Sequence, residues 1–338
     1  MSFEPGPRNL ITDVEGLRVG NASDNHVKSG VTVLLCDEPA IASAQVLGGS
    51  PGTRETDLLE PHNMVETIHA ITLSGGSAFG LDAASGVQAY LREHGMGLPL
   101  RGQVIPIVPA AILLDLFNGG DKNWGAYPPY RELGYEAASR AELNFEIGTA
   151  GAGTGGLTAT VKGGLGSASA RLANGSFVGA LAATNPRGSP LVGKTRQFWA
   201  APFEKGKEFG GLGFPSPLPD GADNIIPKYP EDPEASQNTT LAVVATDLTL
   251  TKSQAKTLAI AAHDGFARAI WPVHLPVDGD IVFALSTGTR KRKPDLNEFV
   301  ALCSGAAAVM ARAIARGIHA ARPAENDLKP TWSLLPGK

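Results

Sequence analysis

The stretch after residue 240 cannot fold by itself, and this constrains the whole chain. An apolar run with β-branched residues at 241–245 reads as a buried strand. Thr251-Lys252-Ser253-Gln254 then has the capping-box pattern, opening a helix that runs to about Arg268. A second strand is predicted at 280–286, and Asp295-Leu296-Asn297-Glu298 opens a last helix that runs to about His319. Two strands and two helices bury too little to close a core. They must share sheets with the preceding residues, so the chain reads as a single domain over 1–338. A break near residue 238 would give two interwoven pieces rather than two domains.

The junction into that tail is abrupt. Residues 213–235 carry Pro215, Pro217, Pro219, Pro227, Pro230 and Pro233. Proline removes backbone donors and fixes φ, so the segment should be irregular and surface-lying. Gln237-Asn238-Thr239-Thr240 then leads straight into the strand. Three readings of this junction stand side by side. It matches a glycosylation acceptor, although the first residues lack a signal-peptide pattern. It is also an ordinary loop-to-strand switch, with Asn forming the turn and Thr favouring the strand. The third reading is an autocatalytic break before Thr239. A freed Thr239 would hold a hydroxyl nucleophile and an α-amine base in one residue, and such an amine has a pKa of about 7.7–8.0.

Composition narrows the classes. With 43% hydrophobic and 18% charged residues the chain reads as ordered and globular. A net charge of −4 gives no electrostatic case for nucleic acid or an anionic membrane. The basic block Arg290-Lys291-Arg292-Lys293 reads as a solvated loop. The two cysteines, Cys36 and Cys303, have no metal-ligand spacing and no HExxH is present, so no metal and no cofactor are expected. The apolar run 104–114 is too short to span a bilayer, and a cytoplasmic location is the default expectation.

The first two strands are predicted at 10–19, broken at Glu15-Gly16, and at 30–36. A glycine-rich loop over 48–59 is either a solvated connection or the lining of a cleft. Strand 67–73 meets Ser74-Gly75-Gly76-Ser77-Ala78-Phe79-Gly80, followed by a helix over 81–93. That turn is neither a phosphate loop, since Leu81-Asp82 replaces Lys-Ser/Thr, nor a nucleophile elbow, since Phe79 stands where glycine should. Residues 127–142 read as partly helical, and 148–166 is densely glycine-rich. Asn174-Gly175 is a hairpin signal between strands at 167–173 and 176–183, the second ending at Asn185-Pro186. Lys162, Asn185, Thr239, Asp278 and Asp280 each fall at a strand end or turn. Asp115, just past an apolar run, reads as a surface charge, with pairing to a substrate ammonium as the alternative.

Together these segments resemble the N-terminal-nucleophile aminopeptidases typified by L-aminopeptidase/D-esterase and β-peptidyl aminopeptidase, with the nylon-oligomer hydrolases as the nearest branch. The resemblance rests on Ile11-Thr12-Asp13-Val14-Glu15-Gly16, Gly75-Gly76-Ser77-Ala78-Phe79-Gly80-Leu81 and Ala150-Gly151-Ala152-Gly153. It continues through Lys162, Asn185-Pro186, Asn238-Thr239-Thr240 and Asp278-Gly279-Asp280. It implies an α/β, four-layer αββα sandwich and autocleavage between Asn238 and Thr239 into subunits 1–238 and 239–338. It further implies Thr239 as nucleophile, Asn185 as side-chain oxyanion donor and Lys162 as the ammonium close to the nucleophile. Asp278 and Asp280 would orient the Thr amine and hydroxyl. One departure is Leu114, which stands where the nylon-oligomer branch has a tyrosine.

The expected activity is hydrolysis of amide bonds in peptides, amino-acid amides or esters, or ω-amino oligoamides, on a substrate with a free amine. A homo-oligomer of cleaved protomers, a tetramer, is implied by the resemblance. Two alternatives remain: acyl transfer of the ornithine-acetyltransferase type, and a non-enzymatic peptide- or sugar-binding protein.

Overall fold

Strand β10 (Thr239–Thr246) has both faces buried, and its alternation sorts the molecule into layers. Leu241, Val243 and Ala245 point into one core, while Ala242 and Val244 point into another. The computed structural model describes residues 3–229 and 238–336. Gln237, Pro230 and Pro233, which belong to the junction and loop expectations above, lie outside the described residues.

The strands are β1 (Leu17–Asp24), β2 (Ser29–Val46), β3 (Thr53–Arg54), β4 (Thr67–Ser74), β5 (Leu98–Leu100), β6 (Gln103–Ile105), β7 (Ala110–Ile112), β8 (Gly164–Arg171), β9 (Phe177–Asn185), β10 and β11 (Ile281–Ser286). The helices are α1 (Ala83–Glu93), α2 (Tyr130–Ser139), α3 (Lys252–Ala269) and α4 (Leu296–His319). Among the described residues, nine strands form one connected sheet in the order β3-β7-β4-β2-β11-β10-β9-β8, with β1 also on β2. β5 and β6 pair apart from it.

That sheet is folded on itself at β2. The N-terminal part of β2 pairs with β1 and β4, and its C-terminal part pairs with β11, with a register irregularity between Leu35 and Ala40. One strand therefore belongs to two layers, which is why it is 18 residues long where a strand over 30–36 was expected. Leu17, Leu34, Ile71, Leu181, Leu241 and Phe283 fill the space between the two halves of the sheet. Helices α1 and α2 cover one outer face through Val87, Leu91 and Leu133. Helices α3 and α4 cover the other through Leu258, Phe266, Val309 and Ile314. The order helix, sheet, sheet, helix is the four-layer sandwich.

Local signals mostly became the elements they predicted. Both capping boxes form, at Thr251 with Gln254 and at Asp295 with Glu298. The Asn174-Gly175 turn joins β8 to β9, with Gly175 at φ +82°. The strand expected over 10–19 is different: Ile11–Asp13 is a 3-10 turn and the strand begins at Leu17. Asp13 accepts bonds from the Arg8 backbone and from Ser169 Oγ, and Gly16 at φ +90° ends the turn. Helix α4 is long and apolar enough to cross a bilayer by composition. Here it packs on α3, β8 and β9, and its buried Arg312 pairs with Glu208 at 2.6 Å.

Candidate active site

The polar residues singled out in the sequence meet at one end of β9, β10 and β11. Antiparallel pairing sets Thr239 opposite Asn185, and Asn238 bridges to Asp278 in parallel register. Asp278 and Asp280 flank Gly279 at the entry to β11. Thr239, Asn185, Asn238, Asp278 and Asp280 are all buried. The sequence could name these residues but not bring them together; β-sheet register does that.

The peptide between Asn238 and Thr239 has unusual surroundings. Thr239 Oγ1 donates back to the carbonyl oxygen of Asn238 at 2.5 Å. The Gly279 backbone N–H donates to the same oxygen at 2.7 Å. The hydroxyl is thus folded over its own preceding peptide, and a fixed backbone dipole points at the oxygen that would become negative if that hydroxyl attacked. Gly279 can serve only because it lacks a side chain: a Cβ there would lie 2.6 Å from Thr239 Oγ1 and 2.6 Å from the Ser50 carbonyl oxygen. The Asn238 N–H donates to the Val277 carbonyl at 3.0 Å, so both backbone groups of Asn238 are held by residues 277–279.

The two carboxylates are fixed by neighbouring donors. Asp280 Oδ1 accepts from the Thr240 N–H at 2.7 Å, and its Oδ2 lies 2.9 Å from His274 Nδ1. Asp278 accepts from the Arg187 and Leu275 backbone N–H groups. Burial, and then the Asp280 charge, push the Asp278 carboxyl up to about 6. The glycine loop over 48–59 supports this turn. Ser50 N–H donates to the Asp278 carbonyl at 2.8 Å, and a Cβ on Gly48 would lie 2.3 Å from that same oxygen. Of the two readings offered for this loop, solvated connection or cleft lining, neither captures its role as a buttress.

Asn185 is placed at the site, with its amide committed. Oδ1 accepts from the Leu157 N–H and from Lys228 Nζ, each at 2.9 Å, which identifies the other atom as nitrogen. That Nδ2 donates to the Leu114 carbonyl at 2.8 Å. The backbone donor on the Asn238 carbonyl among the described residues is Gly279, which the spacing in the sequence did not single out. The dense glycines of 148–166 allow this packing: a Cβ on Gly163 or Gly156 would press on the Thr184 carbonyl at 2.0 or 2.5 Å.

Lys162 has a partner that the sequence did not suggest. It is buried, but its ammonium is bound by both oxygens of Asp327 at 2.8 and 3.0 Å. The ammonium on the junction is that of Lys228, bonded to Asn238 Oδ1 at 2.7 Å and to Asn185 Oδ1. Burial holds Lys228 well below the ordinary lysine range, Asp278 partly offsets this, and Lys329 and Arg187 add to it. No sequence signal marked Lys228. It follows five residues of a loop that is otherwise mostly exposed, and only the fold turns it inward. Asp115 is also corrected: it is 2% exposed rather than a surface charge. It accepts from Ser29 Oγ and from the Gly76 N–H, fixing the turn after β4 next to Leu114.

Comparison with known proteins gives a consistent picture. The model of peptidase family S58 matches residues 9–329. An uncharacterized aminopeptidase of Mycobacterium tuberculosis is 38% identical over 97% of this chain and 98% of its own length. A 6-aminohexanoate-oligomer endohydrolase of Paenarthrobacter ureafaciens is 26% identical, covering 83% of this chain and 76% of its own. Among solved structures, a Burkholderia sp. β-aminopeptidase superposes with a TM-score of 0.72 at 23% identity, covering 96% of this chain and 90% of that one. The L-aminopeptidase D-Ala-esterase/amidase of Ochrobactrum anthropi, described as a variant of the Ntn-hydrolase fold, gives 0.68 at 21% identity, covering 97% and 91%.

Proposed function

The chain belongs to peptidase family S58, and from that premise we propose that it is a self-processing amidohydrolase whose nucleophile is Thr239, freed by a break after Asn238. The observation that carries this reading is the pair of contacts on the Asn238 carbonyl oxygen, from Thr239 Oγ1 at 2.5 Å and from Gly279 N–H at 2.7 Å. Attacking group and oxyanion donor converge on one peptide.

In the first step the Thr239 hydroxyl oxygen bonds to the Asn238 carbonyl carbon and gives up its proton, and the oxyanion forms against Gly279 N–H. The C–N bond then breaks, the proton passes to the Thr239 nitrogen, and an ester joins Asn238 to Thr239 Oγ1. Water opens that ester, leaving a carboxylate on Asn238 and an N-terminal Thr239. Asp278, with its carboxyl near 6, is suited to exchanging protons close to neutral pH.

The freed α-amine then serves as base for the same hydroxyl, on a substrate acyl group seated where Asn238 had been. Gly279 N–H supports the oxyanion again, and Asn185 Nδ2, which has a second hydrogen, is the side-chain donor the family resemblance implies. Lys162, its ammonium held by both oxygens of Asp327, is the cation the family resemblance implies near the nucleophile. A substrate with a free amine fits this seat, because the Asn238 nitrogen donates to the Val277 carbonyl there. Relatives named aminopeptidase and 6-aminohexanoate-oligomer endohydrolase favour amides of that kind.

N-terminal sequencing of the purified protein tests the reading. A second sequence beginning Thr-Thr-Leu-Ala is expected, and Thr239→Ala should leave one uncut chain. A sequence beginning Thr-Leu-Ala would move the break to Thr240. A Thr239→Ala chain that is still cut would remove Thr239 from the reaction. Release of free acid from an amide in water, without an amine acceptor, separates hydrolysis from acyl transfer.

A further inference from the structure

Lys228 is 1% exposed, and among the described residues its ammonium donates to Asn238 and Asn185. Nζ donates to Asn238 Oδ1 at 2.7 Å, to Asn185 Oδ1 at 2.9 Å and to the Asn185 carbonyl at 3.3 Å. Taking an ammonium out of water is costly, and an apolar side chain of the same volume would serve packing alone as well or better. The acceptors show what the charge is for. Asn238 is the acyl residue of the scissile peptide, and Asn185 is the Cα partner of Thr239 across the sheet. Residues 277–279 hold the Asn238 backbone through Val277 and Gly279, whereas Lys228 holds its side chain from the β9 side.

We propose that Lys228 is a positioning residue for self-cleavage, its ammonium clamping the Asn238 carboxamide to Asn185 so that the 238–239 peptide stays beneath Thr239 Oγ1. This inference rests on the reading above that this peptide is the one cut. The carboxamide is the handle, and the contacts of Lys228 lie on side chains and on β9 rather than on the reacting carbonyl. Without the clamp, the Asn238 carboxamide loses this anchor on the β9 side, and the carbonyl carbon shifts relative to the hydroxyl. A misplacement near 1 Å can cost about a hundredfold in rate.

A double-mutant cycle tests this, using full-length chains made by cell-free synthesis and followed on gels for the two fragments. Lys228→Met and Asn238→Ala should each slow cleavage by about tenfold or more. The double variant should be no slower than the slower single one, because both remove the same contact. Wild-type rates in the single variants overturn the clamp, and so do defects that multiply in the double, since a general loss of stability would multiply. If Lys228→Met does not fold, Asn238→Ala decides alone, because it removes one acceptor and leaves the ammonium bonded to Asn185; a wild-type rate there overturns the proposal. Thr239→Ala run alongside separates the two levels. If it blocks cleavage while the Lys228 and Asn238 variants cut normally, only the clamp falls. If it is cut like wild type, the reading and the clamp fall together.

Discussion

Gly279→Ala is the most direct perturbation of the proposed chemistry. The added Cβ would lie 2.6 Å from both Thr239 Oγ1 and the Ser50 carbonyl oxygen, where ordinary contact begins at 3.4 Å. One neighbour must yield by roughly 0.8 Å, the shortfall against that contact distance. Ser50 resists, because its own N–H is bonded to the Asp278 carbonyl at 2.8 Å. The remaining ways out are a rotation of the Thr239 side chain or a shift of the 278–280 turn. The first removes the hydroxyl from the Asn238 carbonyl. The second pulls the Gly279 N–H off the same oxygen, and loss of such a donor costs about 10²–10³ in rate. Self-cleavage should therefore slow by at least about a hundredfold, with a stability loss of about 1–3 kcal/mol from overpacking. The assay is fragment appearance on gels, paired with denaturant melts. Ile314→Val in α4 is the control: it should cost about 0.5–1.5 kcal/mol and still be cut at the wild-type rate. A Gly279→Ala chain that cuts like wild type would refute the assignment of Gly279 as oxyanion donor.

Three further outcomes are expected. Asn185→Ala should lower kcat by about 10²–10³. It should also destabilise the fold by about 1–3 kcal/mol, because the Leu157 N–H and the Leu114 carbonyl lose their partner; unchanged kcat would return Asn185 to a purely structural role. Asp278 has its carboxyl raised from 3.8 to about 6, so the folded chain keeps that proton where the unfolded chain has lost it. Its effect on stability is therefore a penalty that is absent below about pH 4, grows as pH rises and is complete above about pH 6. The stability of Asp278→Asn minus that of wild type should rise across this window and then level off in denaturant melts; a fall would contradict the assigned shift. On cleaved enzyme, kcat/KM for any accepted amide should climb with pH as the Thr239 α-amine loses its proton, and a profile flat from about pH 5 to 10 would exclude that amine as base.

Much of this architecture is legible in the sequence because its signals are local. The capping boxes at Thr251 and Asp295, the Asn174-Gly175 turn and the described part of the proline-bearing loop, 213–229, act within a few residues, and each does what its chemistry dictates. The tail after residue 240 announced that it must share a sheet, and the four layers satisfy it. The errors have a common origin as well. β2 is longer than its most apolar stretch because Ala40, Ala42 and Ala44, small and unremarkable in sequence, are buried between the two halves of the sheet. Lys162 and Lys228 look alike as letters, both polar residues in irregular segments. Asp327, from the far end of the chain, claims one of them, and the two asparagines claim the other.

The sequence by itself determined most of the elements, because helix caps, turns and strand alternation are written in neighbouring residues, and it pointed to Thr239, Asn185, Asp278 and Asp280 only through resemblance to a family. The tertiary structure alone decided that Lys228 reaches the junction and that the Gly279 N–H donates to the Asn238 carbonyl. Those depend on backbone atoms and buried charges brought together across 40 residues or more, as with Gly279 on Asn238 and Lys228 on Asn185. A backbone N–H has no letter of its own. Its contact with the Asn238 carbonyl is visible only where the fold places the two 2.7 Å apart.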